Sequence, residues 1–380
     1  MRRRAARGML APQWSGCSKV AERNSLTPMT NVIRLYLPLL AHPQPAVRQH
    51  AGVILLSTYG SRALTYLRRL LDDPDTQTRQ EVRLALLAIH ELTGEPIQLR
   101  PFAGMYIECL GALNVYAGNR ELGGAEGFAD SSGRAGWHKV QGVLAYLVHC
   151  GKLGASREAL GTAVWGASWS DSSLARTLTA LRQLFAAHAD SAALAERALV
   201  IDASYCRLDP EHYHTDVQLF ERTLAAAVQC EHEQGLPAAA PLYAHATNMY
   251  AGAYMAGVTQ AARWCRERRD FLLSSFVIAA ERQAEHLFQQ REFEQCARIC
   301  AQALDADPRA DDVAVWQLRA FAARGQHADL ELAFRSYARA SRIDTRGALD
   351  ESDPVVRTYH ELSAAHSAAS ERLSAERGSG

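Results

Sequence analysis

The sequence has no excess charge of either sign and no long hydrophobic run. Lys plus Arg number 41 and Asp plus Glu number 41 among the 380 residues. A balanced chain does not attract polyanions over its whole surface, so any affinity for nucleic acid must come from local clusters of cations. No apolar stretch approaches the ~18 to 20 residues of a membrane-spanning helix, and the start MRRRAARGMLAPQW lacks a secretory apolar segment. These absences predict a soluble, cytoplasmic protein without membrane contact.

The sequence also lacks the patterns of disulfide frameworks, metal centres and catalytic sites. Its eight cysteines are scattered without a C-x-x-C pair, which suits reduced and mostly buried thiols. Cys296 and Cys300 lie one helical turn apart, and we expect them to pack in a helical core rather than form a redox pair. Four potential zinc ligands have spacings that are common by chance: His212, His214, Cys230 and His232. Without a nucleophile motif or a phosphate-binding loop, we expect no enzyme, no cofactor and no metal.

The first hundred residues predict a tail followed by repeated helices. Residues 1–29 are basic, then rich in Gly, Ser and Pro, so we expect a disordered tail. Residues 30–100 have helical periodicity, and a shift of 31 residues superimposes Leu39, Leu40, Pro43, Arg48, Leu55 and Leu56 on Leu70, Leu71, Pro74, Arg79, Leu86 and Leu87. This resembles two HEAT-like repeats, which need a further layer from the next domain or from a partner. The two arginines either face a partner or bond the neighbouring turn, and we favour the turn.

From Pro101 the apolar period changes from 3.6 to 2. MYIECLGALNVYAGNREL alternates around Gly118 and Asn119, which predicts strands and a hairpin. A polar loop at 123–136 precedes three helical segments, WHKVQGVLAYLVHC, SREALGTAVWG and SDSSLARTLTALRQLF, and then RALVIDASYCRLD, which has strand composition. Strands, three helices and a terminal hairpin in this order predict a winged-helix DNA-binding domain over residues 101–210, with its third helix in the major groove.

The third helical segment has an apolar stripe and an opposite face of short polar side chains. The stripe recurs at steps of four, three and four: Leu174, Leu178, Leu181 and Phe185. The polar face meets either water or DNA, and the neighbouring segments favour DNA. We expect base or phosphate contacts from Ser172, Arg176, Thr179, Arg182 and Gln183, with flanking contacts from Lys139, Arg157 and Arg207. For Arg182 a phosphate contact and a structural ion pair are equally open.

The local charge of this region favours DNA although the chain is neutral. Between residues 137 and 188 five cations, Lys139, Lys152, Arg157, Arg176 and Arg182, oppose Glu158 and Asp171, a net of plus three. The excess is modest. It predicts binding that needs a second subunit, a tandem site or a polymerase partner.

The last part of the chain returns to helices, and here a shift of 34 residues applies. It superimposes Phe293, Cys296, Cys300 and Ala303 on His327, Leu330, Phe334 and Tyr337. This spacing resembles the tetratricopeptide repeat. We expect a helical domain over residues 211–362 and a C-terminal tail over 363–380.

These segments together resemble the winged helix of OmpR/PhoB-type and especially SARP-type activators. The resemblance rests on a Lys-bearing first helix, an S-R-E-x-L second helix ending in Trp, and the L-R-x-L of the third helix. VIDASYCRLDPEHYHTDVQLFE is similar to the family's wing and exit, where Asp216, Phe220 and Glu221 fill an Asp-x-x-x-Phe-Glu step. WCRERRDFL, the repeat pair and DPVVRTYHEL are similar to the bacterial transcriptional activator domain. The wing segment Tyr205–Leu208 lacks the family's glycine, which predicts a differently shaped tip.

The resemblance implies a transcriptional regulator, and specifically an activator. Such a protein binds double-stranded DNA at promoter repeats and contacts RNA polymerase, and its helical repeats can hold a peptide or small-molecule effector. The expected fold is mainly α with a small α+β domain. The alternative is a protein-interaction scaffold whose winged helix no longer binds DNA. Steep loss of DNA binding with salt would exclude it, because released counterions leave that signature.

Overall fold

The computed structural model describes residues 33, 35–73, 75–93, 104–117, 120–122, 136–188, 196–343 and 350–378. In these residues the protein is mainly α-helical with two small sheets, which confirms the expected fold class. The expected tail at 1–29, the turn residues 118 and 119, and residues 123–135 of the polar loop lie outside the described residues. No described helix has both the length and the apolar character needed to cross a bilayer.

Two helical hairpins open the described part of the chain. They comprise a 3-10 helix (Leu37–Ala41), α1 (Pro45–Ile54) continued by a π-turn (Leu55–Tyr59), α2 (Leu64–Arg69) and α3 (Thr76–Thr93). Pro45 occupies the first turn of α1, where its missing N–H costs nothing because that group has no helical partner. Their buried side chains include Leu40, Leu55, Leu67 and Leu86. The first helix of each hairpin is short, so the repeat is less regular than the periodicity suggests.

The equivalent arginines of the two hairpins bond the turns between helices. Arg48 donates from Nη1 to the carbonyls of His42 at 2.8 Å and Pro43 at 3.1 Å. Arg79 donates in the same way to the carbonyl of Asp73. The two acceptors, His42 and Asp73, are themselves related by the 31-residue shift, so the repeat extends to the hydrogen bonds. This confirms the structural role that we favoured.

The helical hairpins pack on the first sheet, which supplies the layer that their apolar faces need. Tyr66 is buried and meets the rings of Tyr106 and Tyr116 edge-on, with centroids 6.4 and 5.6 Å away. Arg69 donates from Nη2 to the carbonyl of Gly104 at 2.7 Å. Later segments of the chain itself therefore cover part of the hairpins, whereas Leu35, Val53, Leu84 and Leu87 stay exposed.

The first sheet has the strand order β3-β2-β1-β7. Its strands are β1 (Met105–Glu108), β2 (Asn114–Ala117), β3 (Arg120–Glu121) and β7 (Tyr213–Thr215). Strands β1, β2 and β3 are antiparallel, as expected, whereas β7 pairs parallel to β1. We had assigned residues from 211 onward to the helical domain. Three residues are too few to show a period of two, so this strand carried no signal in the sequence.

A three-helix unit follows the first sheet. Its helices are α4 (Trp137–Cys150), α5 (Arg157–Trp165) and α6 (Asp171–His188), and its strands are β4 (Ala155–Ser156), β5 (Leu199–Ile201) and β6 (Tyr205–Leu208). The strands form a second sheet in the order β4-β6-β5, in which β5 and β6 make the expected hairpin. The two-residue strand β4 pairs with β6 and joins the helices to the hairpin.

The C-terminal part is a succession of antiparallel helices. These are α7 (Asp216–Gln234), α8 (Leu236–Met249), a 3-10 helix (Thr259–Arg263), α9 (Arg266–Gln289), α10 (Phe293–Ala306), α11 (Asp311–Ala323), α12 (His327–Ala340) and α13 (Pro354–Gly378). Helices α10 and α12 start 34 residues apart and have equal length. Cys296 and Cys300 are fully buried on α10, and the equivalent Leu330 and Phe334 are buried on α12. The tetratricopeptide-like packing of this region is confirmed.

The end of the chain differs from the expected tail. Helix α13 begins at Pro354 and runs to Gly378, through the segment 363–380 that we had assigned to a tail. The segment SAAHSAASERLSAER contains five Ala, two Glu and two Arg, which are strong helix formers. Its helical tendency does not depend on a clear apolar period, which explains why the periodicity ended before the helix did.

Candidate nucleic-acid interface

Helix α6 buries the apolar stripe that its spacing predicts. Leu174, Leu178, Leu181 and Phe185 are each at most 1 % exposed. The helix packs these residues on α4 and α5. Thr177 is buried with them, and its hydroxyl donates to the carbonyl of Ser173 at 2.9 Å, so it adds no unpaired polar group to the core.

The opposite face of α6 is exposed along its whole length. It carries the five side chains expected there: Ser172, Arg176, Thr179, Arg182 and Gln183. The small exposed residue Ala175 lies among them, and the exposed Ala186 follows Gln183 about one turn further along the helix. A helix of about 10 Å diameter with short side chains on one face fits the width of the DNA major groove.

Two polar side chains on this face are held by the helix itself. Arg176 donates from Nε to the carbonyl of Ser172 at 3.1 Å and from Nη2 to the hydroxyl of Ser173 at 3.4 Å. Thr179 donates its hydroxyl to the carbonyl of Ala175 at 2.9 Å. These bonds direct the guanidinium toward the start of α6 and leave the Thr179 oxygen able to accept from a donor outside the protein.

The start of α6 carries serines and one ion pair. The hydroxyl of Ser170 accepts from the backbone N–H of Ser173 at 3.3 Å and lies 3.3 Å from the hydroxyl of Ser172. Arg157 approaches Asp171 at 3.4 Å. The aspartate would otherwise repel a phosphate from the positive end of the helix, and the arginine offsets part of that charge. Arg157 therefore acts first on its neighbour, although we had expected it to contact DNA directly.

The side chain of Lys139 bonds the C-terminal end of α5. Its ammonium donates to the carbonyl of Val164 at 2.9 Å and lies 5.3 Å from the ring centre of Trp165. A cation at the C-terminal end of a helix is favourable because the last carbonyls have no helical partners. Lys139 therefore has a structural role at the end of α5 and is not part of the exposed face of α6.

The β5–β6 hairpin ends in a short tip without a cation. Asp202 closes it, since its carboxylate accepts from the backbone N–H groups of Ser204 and Tyr205, at 2.9 and 2.6 Å. The residues between Asp202 and Tyr205 are only Ala203 and Ser204. The turn without a glycine is thus closed by an aspartate, which gives the tip an acidic side chain.

Arg207, which we had expected to contact DNA, lies on β6 away from that tip and is half-buried. Burial raises the pKa of the neighbouring Cys206 thiol, and the guanidinium groups of Arg157 and Arg182 oppose the rise. Cys206 pairs with Ile201 next to the tip, and the backbone N–H of Arg157 donates to the carbonyl of Ser204 at 2.9 Å, so Arg157 and Arg182 lie beside the tip end of the hairpin. Arg182 is exposed at the flank of α6.

Two glycines fix how the hairpin and α6 are placed. Gly154 has a φ of +64°, and a Cβ there would lie 2.5 Å from the Cβ of Arg207. The Trp169 ring packs directly against Gly161 on α5, where a Cβ would lie 2.5 Å from the ring. Trp169 is two residues before α6, so this contact sets where α6 begins.

The C-terminal helical part is docked on the three-helix unit. The 3-10 helix Thr259–Arg263 packs against α4 and α5. A Cβ on Gly142 would lie 3.3 Å from the side chain of Gln260, and one on Gly166 would lie 3.2 Å from Arg263. These contacts hold the candidate interface in a fixed relation to the helical repeats.

The structure brings five of the eight expected residues onto the exposed face of α6. Arg157 lies beside the start of α6 and the hairpin tip, whereas Lys139 bonds the end of α5 and Arg207 is half-buried on β6. Sequence reasoning missed Ser170 and Trp169, which position the start of α6. The SWSDSS segment offered a signal, because a serine before an acidic first turn is a frequent helix cap. Among the described residues, no group of three His, Cys, Asp or Glu side chains could hold a metal ion.

Comparison with known proteins supports a role in transcription. Residues 215–369 match the family model of the bacterial transcriptional activator domain. A search of curated proteins finds no match. The fold is similar to that of Mycobacterium tuberculosis EmbR, solved in complex with a low affinity phosphopeptide, with a TM-score of 0.51, 15% sequence identity, and coverage of 71% of this chain and 71% of that chain. At this identity the similarity concerns the fold.

Proposed function

We propose that the protein is a sequence-specific DNA-binding transcriptional regulator of the SARP type, acting as an activator. In this proposal the three-helix unit with its hairpin is a winged helix, and α6 enters the major groove. The observation that carries the proposal is the continuous exposed face of α6, backed by the match of residues 215–369 to an activator domain. The two features stand in the order expected of such regulators.

The exposed side chains have chemistry suited to base and phosphate contacts. A guanidinium such as that of Arg176 can donate two parallel hydrogen bonds to guanine, and the amide of Gln183 can pair with adenine. Ser172 lies at the positive end of the helix and can donate to a phosphate. Because Arg176 is already bonded along the helix, it loses less side-chain freedom when it meets a base.

The distribution of charge implies that one copy binds weakly. Arg176 and Arg182 remain exposed on α6, whereas Lys139 and Arg157 have partners inside the protein and the hairpin tip carries Asp202. Few phosphate contacts give low affinity at physiological salt. We therefore propose binding to tandem promoter repeats, assisted by contact with RNA polymerase.

The helical repeats supply a surface for regulation. A groove of about 410 Å³ runs between α10, α11 and α12, with Leu332 exposed and Phe321 and Tyr337 in its wall. A peptide or small-molecule effector of this domain would bind there. The docking of Thr259–Arg263 on α4 and α5 connects such a site to the winged helix.

The decisive experiment is selection of bound duplexes from a random pool, followed by fluorescence anisotropy on the selected sequence at several salt concentrations. We expect Arg176→Ala to weaken specific binding by ~1–3 kcal/mol while leaving non-specific binding nearly unchanged. Arg335→Ala is the matched control, because Arg335 is also exposed and bonded within its own helix, to Glu331 on α12. Equal binding by the wild type and Arg176→Ala would remove α6 from base recognition.

A protein-interaction scaffold is the second candidate function. The observation that favours it is the hairpin tip, which is short and closed by Asp202. A scaffold would enrich no sequence in the selection, and its weak DNA binding would be insensitive to Arg176→Ala. A steep fall of affinity with salt, together with an enriched sequence, would exclude this candidate.

A further inference from the structure

A cavity lies where the three-helix unit, the first sheet and the helical repeats meet. Its volume is about 470 Å³, within the range of small-molecule sites. The end of α4 contributes His149, and the following 3-10 helix (Gly151–Leu153) contributes Lys152. Tyr213 comes from β7 and Tyr254 from the segment before Thr259–Arg263. A ligand here would touch the end of α4, the first sheet and the start of the C-terminal helical part.

Several hydrogen-bonding groups at this cavity have no protein partner. The hydroxyls of Tyr213 and Tyr254, the imidazole of His149 and the ammonium of Lys152 make no hydrogen bond to any described residue. Both tyrosines are at most 3 % exposed, so water reaches little more of them than the cavity side. The cavity thus presents two hydroxyls, an imidazole and an ammonium to whatever enters it, and a ligand can bond to them in place of water.

The charges at the cavity favour an anion. Arg268 is held by Glu221, with each Nη nitrogen 2.8 Å from one carboxylate oxygen. Asp216 behind the cavity wall is engaged by the backbone N–H groups of Cys109, Leu110 and Val217. Lys152 has no counter-ion among the described residues, and the two tyrosine hydroxyls can both donate. Of the two cations that line the cavity, Lys152 is therefore the one without an acidic partner among the described residues.

Apolar residues form part of the remaining lining, beside Thr215 and Gln218. Val148, Val217 and Pro210 lie around the same space. A ligand that fits must combine a negatively charged oxygen group with a compact apolar body, since either part alone would leave one side of the cavity unmatched.

We propose that this cavity binds a small organic oxyanion, a carboxylate or a phosphate ester, whose charged group meets Lys152, Tyr213 and Tyr254. The apolar body of the ligand packs on the valines and the proline. Because the ligand bridges α4 and the segments before α9, it fixes the three-helix unit against the helical repeats. The site is separate from α6, and its existence does not depend on DNA binding.

The test uses the full chain and three small probes of similar shape. Benzoate and phenyl phosphate carry the two oxyanions, and neutral benzamide lacks the charge. Melting temperature is measured against probe concentration at constant ionic strength, since a ligand that binds only the folded state raises it progressively once its concentration exceeds Kd. We expect benzoate, phenyl phosphate or both to do so, and benzamide not to.

Two variants and one control assign the effect to the cavity. Lys152→Ala removes the unpaired cation from an exposed position, and Tyr254→Phe removes only a hydroxyl. Each variant should lower the affinity for the probe by about tenfold, the value of one charged hydrogen bond. Arg339→Ala, an exposed cation on α12, should leave binding unchanged. Response to only one probe would identify the oxyanion. No rise in melting temperature with either oxyanion, an equal rise with benzamide, or an unchanged response in both variants would overturn the proposal.

Discussion

The backbone N–H of Cys109 lies 2.8 and 2.9 Å from the two carboxylate oxygens of Asp216, 107 residues further along the chain. Leu110 and Val217 donate to the same carboxylate, each at 2.8 Å. The loop after β1 is thereby fixed to the start of α7. That loop also accepts from Met255 at the Cys109 carbonyl, at 2.7 Å. A single buried side chain therefore joins the first sheet to the helical domain.

Replacing Asp216 by Asn should destabilise the protein without changing its surface. The amide offers one acceptor oxygen where the carboxylate offers two, so at least one backbone N–H loses its partner. We expect a loss of ~1–3 kcal/mol in the free energy of unfolding at neutral pH, the cost of an unpaired buried donor. Urea unfolding followed by circular dichroism measures it, and an unchanged midpoint would show that the loop is held by its other contacts.

The same residue predicts a pH dependence. Burial raises the pKa of Asp216 from 3.8 to about 7, with Glu108 adding to the rise and the backbone N–H groups opposing it. Since the folded state then binds more protons than the unfolded state between these values, the contribution of Asp216 is complete below pH 4 and declines up to about pH 7. The difference in stability between the wild type and Asp216→Asn should therefore be larger at pH 5 than at pH 8. A difference that grows with pH would contradict this.

Two glycines at one turn should respond differently to alanine. Gly151 and Gly154 both have positive φ, +59° and +64°, but a Cβ on Gly151 meets nothing within 4 Å. A Cβ on Gly154 would lie 2.5 Å from the carbonyl oxygen of Cys206. We expect Gly151→Ala to cost ~1–2 kcal/mol for backbone strain alone, and Gly154→Ala clearly more. Thermal unfolding of both variants provides the comparison.

Gly161→Ala should move the candidate interface as well as destabilise it. The added methyl group would overlap the Trp169 ring, which positions the start of α6. We expect ~1–3 kcal/mol of destabilisation and weaker binding to the selected DNA. Gly52→Ala on α1 is the control, because its Cβ meets nothing, and it should stabilise the protein by ~0.5–1 kcal/mol. Normal DNA binding by Gly161→Ala would show that α6 does not depend on this contact.

The parts of the fold that the sequence predicted are those in which a period repeats. The 34-residue shift located α10 and α12 because Cys296 and Leu330 occupy the same packing position in consecutive units. The buried stripe of α6 followed from spacing for the same reason. Strand β7 and the role of Asp216 could not be predicted, because each depends on contact between segments about a hundred residues apart. Local pattern carries no information on such pairing.

The candidate site shows the same division. The exposed face of α6 is a property of one helix, so five of its residues could be predicted. Lys139, Arg157 and Arg207 were chosen by charge and proximity in the chain, and charge does not say which partner a cation meets. The carbonyl of Val164 and the carboxylate of Asp171, which engage two of them, belong to neighbouring elements whose packing had first to be known.

Lys139 and Arg176 allow the structural and the DNA-binding roles of cations to be separated in one experiment. Lys139 bonds the carbonyl of Val164 and approaches Trp165, so Lys139→Ala should lower the free energy of unfolding by ~1 kcal/mol. Its ammonium is already engaged, so the slope of log affinity against log salt should not change. Arg176→Ala should leave stability nearly unaltered, and if Arg176 also neutralises a phosphate, the slope should fall by about one. A reversal of these two patterns would place the DNA on the α4–α5 side of the unit instead of on α6.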